Sequence, residues 1–205
     1  MDSMDRRTFL RGVAAVPAAA LASSLAACST APKDEKPDAY LDKREGKLVA
    51  VSALLTKQKI PIDDWTVLQQ KAGPVAVIVD KRRNLYGLFI NGALARVGVA
   101  GTAKTGDGYV TTDGMHPITR LEGPGYTSKE YPGAKMDHAT FFGPTGRAVH
   151  ASSNFVWRFN RETEKKEWFL VTDNSHGCVN VMDEDAKVIN DAFRASGMKG
   201  AVIVY

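Results

Sequence analysis

The chain has 205 residues, 44% of them hydrophobic, with 27 Lys and Arg against 23 Asp and Glu and a formal net charge of +4. That length buries one proper core, with room for at most a small appendage. The basic residues are interspersed with acids, as in Lys43-Arg44-Glu45 and Arg161 to Glu167, so the concentrated basic footprint of a nucleic-acid binder is missing.

Residues 1–27 read as an export signal. Arg6-Arg7-Thr8-Phe9-Leu10-Arg11 precedes an alanine-rich apolar run, Gly12 to Ala27, that is too short to span a membrane comfortably. The paired arginines resemble a twin-arginine signal. Leu25-Ala26-Ala27-Cys28 resembles a bacterial lipobox, which predicts cleavage before Cys28 and lipid on its sulfur; the alternative is an ordinary cleaved signal with Cys28 incidental. Residues 28–38 are then a lipidated tether, polar and with two prolines. Ser29 after the cysteine, rather than Asp, leans the expected location toward the periplasmic side of the outer membrane, by analogy with lipoprotein sorting. With Cys28 lipidated, Cys178 has no disulfide partner in its own chain. A lone thiol in an oxidising compartment is either a working group or a buried inert one.

Residues 39–73 are expected to form an N-terminal cap of short helices or irregular structure, broken by Pro61. From Pro74 the pattern turns to strands. Val75 to Asp80 is a β-branched run of the buried kind, and Asn84 to Ile90 and Ala93 to Ala100 flank an Asn91-Gly92 hairpin turn. Gly101 to Gly108 is a glycine-containing loop, and Tyr109 to Leu121 is extended. A long loop containing Gly123, Pro124, Gly125, Tyr126, Tyr131, Pro132 and Gly133 suggests a functional rim. Thr140-Phe141-Phe142 turns through Gly143 to Gly146 into Arg147-Ala148-Val149-His150, which puts His150 at or near a strand end. Trp157 to Phe159 and Trp168 to Val171 form a strand pair around a charged tip, Asn160 to Glu167. A helix from Asp183 to Ser196, with Asp183 as N-cap and Gly197 as stop, precedes a buried strand, Ala201 to Tyr205.

The chemistry centres on Asn174-Ser175-His176-Gly177-Cys178-Val179-Asn180. A cysteine attacks carbonyls as the thiolate, so it needs a lowered pKa or a base. His150 and His176 are the candidate bases. His176 is nearer in sequence, but two positions along an extended segment need not converge on the sulfur, whereas His150 arrives on a separate strand. Gly177 lets the backbone tighten, so the Gly177 and Cys178 amides could face a developing oxyanion. Tyr126 and Met136 either line a cleft or pack the loop. His116 and His138 are expected to stand outside the chemistry. Together with His150 and Cys178 they are metal-ligating types, but no tight ligand pair supports a metal site.

Ser175-His176-Gly177-Cys178-Val179-Asn180, preceded by Val149-His150-Ala151-Ser152, resembles the signature of the L,D-transpeptidases, the YkuD-type catalytic domain. The resemblance covers roughly residues 74–205. It implies a mainly β, YkuD-like β-sandwich with one helix after the catalytic cysteine. It implies Cys178 as nucleophile, His150 as base, His176 and Gly177 as supporting groups, and Ser175 and Asn180 as shaping a substrate-binding segment, with Tyr126 and Met136 as candidate donor contacts. No cofactor is required. The implied partner is peptidoglycan: a thioester forms with the third stem residue, D-alanine leaves, and an amine on another stem or an envelope protein accepts the acyl group. Hydrolysis, giving a carboxypeptidase, and a catalytically silent, lipid-anchored wall-binding module are the alternatives. The chain departs from the family pattern in two places. The stretch from His150 to Cys178 is longer than usual, and Thr111-Thr112-Asp113-Gly114 lacks the proline of the family's Thr-Pro-x-Gly.

Overall fold

The computed structural model describes residues 48–103, 109–172 and 174–205, all within one compact unit, residues 37–205. The export signal, the lipidation site Cys28, the tether, the first residues of the cap and most of the Gly101–Gly108 loop lie outside the described residues. The expected cap contains two short helices, α1 (Val51–Lys57) and α2 (Ile62–Gln69), with Pro61 at the α2 N-cap. Its most buried residue is Trp65, whose indole N–H donates to the Tyr205 hydroxyl at 2.7 Å. One element is additional: Leu48–Ala50 forms a short strand, β1.

The strands that follow are β2 (Val75–Asp80), β3 (Leu85–Ile90), β4 (Ala93–Val99), β5 (Gly114–Leu121), β6 (Thr140–Phe142), β7 (Arg147–Ala151), β8 (Phe155–Asn160), β9 (Lys165–Val171), β10 (Val179–Val181) and β11 (Gly200–Val204), with helix α3 (Asp183–Ala195) between the last two. An eight-stranded sheet runs β10-β7-β6-β5-β11-β2-β3-β4, and a three-stranded sheet runs β1-β9-β8. The protein is mainly β, with the helix after the cysteine segment in place. Asn91 and Gly92 both take positive φ, 50° and 82°, as a tight hairpin turn between β3 and β4 requires.

The pattern of burial follows from which faces are covered. β2 is buried along its whole length because it lies inside the large sheet, between β11 and β3, with both faces packed. On one face, Val75, Val77, Val79, Val149, Val179 and Val202 pack under Ala186, Ile189 and Phe193 of α3. On the other, Ala76, Ile78, Phe89 and Ile203 meet Phe155 and Leu170 of the small sheet together with Leu54 and Trp65 of the cap helices. The two sheets therefore pack face to face, as the sandwich expectation required.

Three boundaries differ from the sequence expectation. The charged tip is a turn only over residues 161–164, because Lys165 to Glu167 pair with Asn160 to Arg158 and continue the hairpin. Asn84 is a turn residue with φ 53°, so β3 begins at Leu85. Asp183 is the first helical residue and Met182 the N-cap, with no side-chain cap. The start of α3 instead carries Asp183, Glu184 and Asp185 in its first turn, where negative charge complements the unpaired amides, and Asp185 is tied to Arg96 of β4 at 2.5 Å.

Candidate active site

Two neighbouring parallel strands set the site. β7 carries His150 near its end, and β10 begins one residue after Cys178; their register pairs Val179 with Val149 and Asn180 with His150. Side chains alternate across a strand, so Val149, Val179 and Val181 face the α3 core. Ala148 and Cys178 lie on the opposite face, in a separate cluster with Met136, Ala139, Phe141 and Tyr126. His150 has the parity of Ala148. The imidazole and the thiol therefore share one face of adjoining strands.

The loop that presents the thiol is held by its own serine. Ser175, 5% exposed, donates its hydroxyl to the Cys178 carbonyl at 2.6 Å and accepts the Gly177 N–H at 3.0 Å. This corrects the expectation for Gly177: its amide is committed to Ser175 rather than turned toward an oxyanion. The Cys178 amide makes no hydrogen bond to another described residue. Gly177 itself has φ +115°, and a Cβ there would lie 2.8 Å from Arg147 Nε and 3.4 Å from the Val110 carbonyl oxygen. Backbone conformation and crowding both require glycine. Asn180 is buried, and its N–H and C=O both pair with Gly101, at 2.7 and 2.8 Å. Ser175 and Asn180 thus shape the segment from within.

His150 Nδ1 lies 2.7 Å from the Ala151 carbonyl oxygen. A carbonyl only accepts, so Nδ1 carries the proton and Nε2 keeps its lone pair. Burial pulls the imidazole below its ordinary pKa, opposed by that hydrogen bond and by the charge of Asp137. Burial pushes the Cys178 thiol above its ordinary value; a backbone hydrogen bond with Ala148 and the charge of Arg147 oppose the shift, and Glu130 adds to it. At neutral pH the free protein therefore holds a neutral thiol and a neutral imidazole with one nitrogen ready to accept a proton.

His176, by contrast, is exposed, with Tyr109 edge-on at 4.6 Å and Tyr131 stacked at 5.6 Å. The ring belongs to an aromatic rim. Met136 is 4% exposed and packs the loop under the thiol, while Tyr126 remains partly exposed, its ring edge-on to Phe141 and its hydroxyl accepting from Arg120 at 3.1 Å. His116 lies against Phe142 and His138 near Asp191 of α3, apart from the thiol. Among the described residues no group of three or more His, Cys, Asp and Glu gathers as a metal site.

Sequence reasoning missed three residues. Arg147 lies beside Gly177. Tyr109 flanks His176. Asn190 of α3 is 2% exposed and donates to the carbonyls of Glu122 (3.1 Å) and Ala139 (3.0 Å), the two feet of the loop carrying Tyr126, Tyr131 and Met136. Its signal was present: Ala186, Ile189, Asn190 and Phe193 form the buried stripe of α3, and a polar residue in such a stripe needs buried partners.

A mainly β protein that puts a thiol and an imidazole on one face of neighbouring strands, ahead of a helix, is the class these elements define. The sequence model of YkuD, the L,D-transpeptidase catalytic domain, matches residues 74–201, and the chain belongs to this family. Among solved structures it is similar to the L,D-transpeptidase (Yku) of Stackebrandtia nassauensis, at 24% identity and TM-score 0.48 over 66% of this chain and 56% of that one. The L,D-transpeptidase (residues 123–326) of Xylanimonas cellulosilytica gives 20% identity and TM-score 0.46 over 66% and 62%. An L,D-transpeptidase of Mycobacterium tuberculosis gives 18% and 0.47 over 65% and 58%. The chain thus spans less than two thirds of the length of these structures. No curated protein matches it.

Proposed function

We propose that the chain is a peptidoglycan L,D-transpeptidase in which Cys178 is the nucleophile and His150 the general base. The observation that carries this reading is the His150 hydrogen bond to the Ala151 carbonyl, which leaves Nε2 as the nitrogen able to accept a proton, on a residue whose strand parity gives it the face the thiol shares. Because burial favours the neutral thiol, attack must be coupled to proton removal. Nε2 takes the Sγ proton as sulfur bonds to the carbonyl carbon of the third stem residue. The Cys178 amide is the donor available to the oxyanion, with Gly177 held aside by Ser175. The C–N bond to the terminal D-alanine then breaks, the imidazolium returns its proton to the leaving amine, and a thioester remains. An acceptor amine on a second stem or an envelope protein, deprotonated by the same imidazole, attacks the thioester and restores the thiol.

The test is incubation of the protein with tetrapeptide muropeptides and mass spectrometry of the products. Release of D-alanine with a linked dimer supports the reading, and loss of both in Cys178→Ala assigns the thiol. Release without linkage would make the protein a carboxypeptidase, and turnover that survives Cys178→Ala would overturn the mechanism.

The envelope location belongs to the same proposal. Arg6-Arg7 and the Leu25-Ala26-Ala27-Cys28 run support export by a twin-arginine route, lipid on Cys28 and residence on the periplasmic side of the outer membrane. Mass spectrometry of the mature amino terminus, with membrane fractionation, tests it; an unmodified Cys28 or recovery only from the inner membrane contradicts it.

A further inference from the structure

The face of the large sheet that carries the thiol also carries an arginine in line with it. Continuing the β10–β7 register back one residue sets Cys178 opposite Ala148, in keeping with the thiol's backbone hydrogen bond there. Ala148 pairs with Phe141 of β6, and Phe141 pairs with Arg120 of β5. These four residues form one row across adjoining strands. Cys178, Ala148 and Phe141 share a cluster on the face away from α3. Arg120 joins that face through an irregularity in β5. The register shifts between Ile118 and Arg120, so Ile118 and Leu121 both pack against the α3-side core and Arg120 turns the other way. The guanidinium carbon stands accordingly over the Phe141 ring, 3.9 Å from its centre.

The guanidinium is held on three sides. Phe141 lies beneath it, Nη2 donates to the Tyr126 hydroxyl at 3.1 Å, and Nε is 3.4 Å from a Glu122 carboxylate oxygen. These contacts fix its plane and leave most of its N–H groups, both of those on Nη1 among them, without an acceptor among the described residues. The side chain is 47% exposed, so that edge opens to solvent. A cation stacked and tethered in one orientation, with its terminal N–H groups open, suits a carboxylate.

Phe141 is two strands from the thiol in the row, at about 4.8 Å per strand, so the guanidinium stands about 10 Å from Cys178. The terminal carboxylate of the donor follows the attacked carbonyl by one peptide unit, roughly 3.8 Å, and falls short of Arg120. Two other stem carboxylates stand farther out. That of the diaminopimelate side chain is a whole side chain from the attacked carbonyl, and the α-carboxylate of D-isoglutamate is one γ-linked residue from it.

We propose that Arg120, held by Phe141 and Tyr126, binds a stem carboxylate remote from the scissile bond, on the diaminopimelate side chain or on D-isoglutamate. The inference rests on the L,D-transpeptidase reading for its substrate. Arg120 selects stems that carry this charge and sets the register that brings the scissile carbonyl to Cys178 and His150.

Binding separates this inference from catalysis. The full chain bearing Cys178→Ala is titrated calorimetrically with L-Ala-D-iGlu-diaminopimelate-D-Ala and with three versions of it, amidated singly at the D-isoglutamate, the diaminopimelate side-chain or the terminal carboxyl. A charge-assisted hydrogen bond at a half-exposed site implies that one of the first two amidations should weaken binding about five- to tenfold, and which one assigns the carboxylate. Arg120→Gln, added to the same background, should weaken the free acid by a similar factor and abolish that discrimination. Arg120→Lys, which keeps the charge without the fork, should retain part of it, and melting curves verify that each variant is folded. Equal affinity for all four peptides, or no binding of the free acid, overturns the proposal. So does an Arg120→Gln protein that binds every peptide more weakly by one common factor, because a purely structural role would do that. Arg120-dependent sensitivity to terminal amidation alone also overturns it, by placing the leaving residue at Arg120. If the unsubstituted enzyme releases no D-alanine while the Arg120-dependent titration holds, the catalytic reading fails and the carboxylate site stands.

Discussion

Replacing Ser175 with alanine tests whether the thiol loop is held from within. The serine hydroxyl bridges the Gly177 N–H at 3.0 Å and the Cys178 carbonyl at 2.6 Å, at a position 5% exposed. Alanine leaves a donor and an acceptor without their partner in a largely buried loop. A buried polar group left unsatisfied costs about 1–3 kcal/mol, and because Cys178 is only partly covered, water can relieve part of this. The net expectation is about 2–3 kcal/mol, a fall in melting temperature of about 5–10 °C for a domain of this size. Thermal unfolding measures the stability, and the alkylation rate of Cys178 by iodoacetamide, compared at one pH, reports the loop. Alkylation should quicken as the loop loosens, while D-alanine release falls by more than the stability loss explains. An unchanged melting temperature with unchanged alkylation would refute the assignment of Ser175 as the internal brace.

The protonation of the pair gives a second expectation. His150 is held below its ordinary pKa and protonation disables it as a base, so the acid limb of kcat/KM should rise with pH through a midpoint below that of an ordinary histidine, and should vanish with whatever residual activity His150→Asn retains. Cys178 is pushed up, so its iodoacetamide reactivity should rise through a midpoint above that of an ordinary thiol; a midpoint below it would mean a preformed thiolate and contradict the neutral pair. Gly177→Ala puts a side chain at φ +115° within 2.8 Å of Arg147 Nε, and should cost about 1–3 kcal/mol in urea unfolding with a larger loss of turnover. Asn190→Leu removes the clasp on Glu122 and Ala139, and should destabilise by about 2–4 kcal/mol while making the loop at residues 122–139 the first site of limited proteolysis.

What the sequence disclosed was what depends on near neighbours. The β-branched run at Val75 to Asp80, the Asn91-Gly92 turn and the apolar spacing of α3 each carry a period or a turn chemistry that survives without tertiary context. β1 does not: Leu48–Ala50 is a strand because Val171, Leu170 and Phe169 of β9 lie beside it, and no three-residue pattern announces that. The hairpin ran further than expected for a related reason. Lys165 to Glu167 read as a solvated tip, yet they complete a ladder with Arg158, Phe159 and Asn160 that their charge does not oppose at an exposed edge. At the site, the motif brought out Cys178 and His150 because both sit in short recognisable runs. Arg147 was invisible as a site residue because its relation to Gly177 exists only once β7 and β10 are paired. The oxyanion expectation for Gly177 failed on a single side-chain bond that spacing cannot reveal, since Ser175 could as well have faced outward.

The balance of charges around the thiol bears directly on the proposed mechanism. Arg147 is the positive charge that favours the thiolate and Glu130 the negative one that opposes it, yet burial outweighs both and leaves the thiol neutral. An arriving peptide would expel further water from the thiol. That change disfavours the thiolate further, so the bound donor makes proton transfer to His150 Nε2 more necessary than it is in the free protein. An enzyme built this way keeps its thiol unreactive toward small oxidants and electrophiles, since the thiolate is the reactive species. It confines nucleophilicity to the moment when the imidazole and a positioned carbonyl act together.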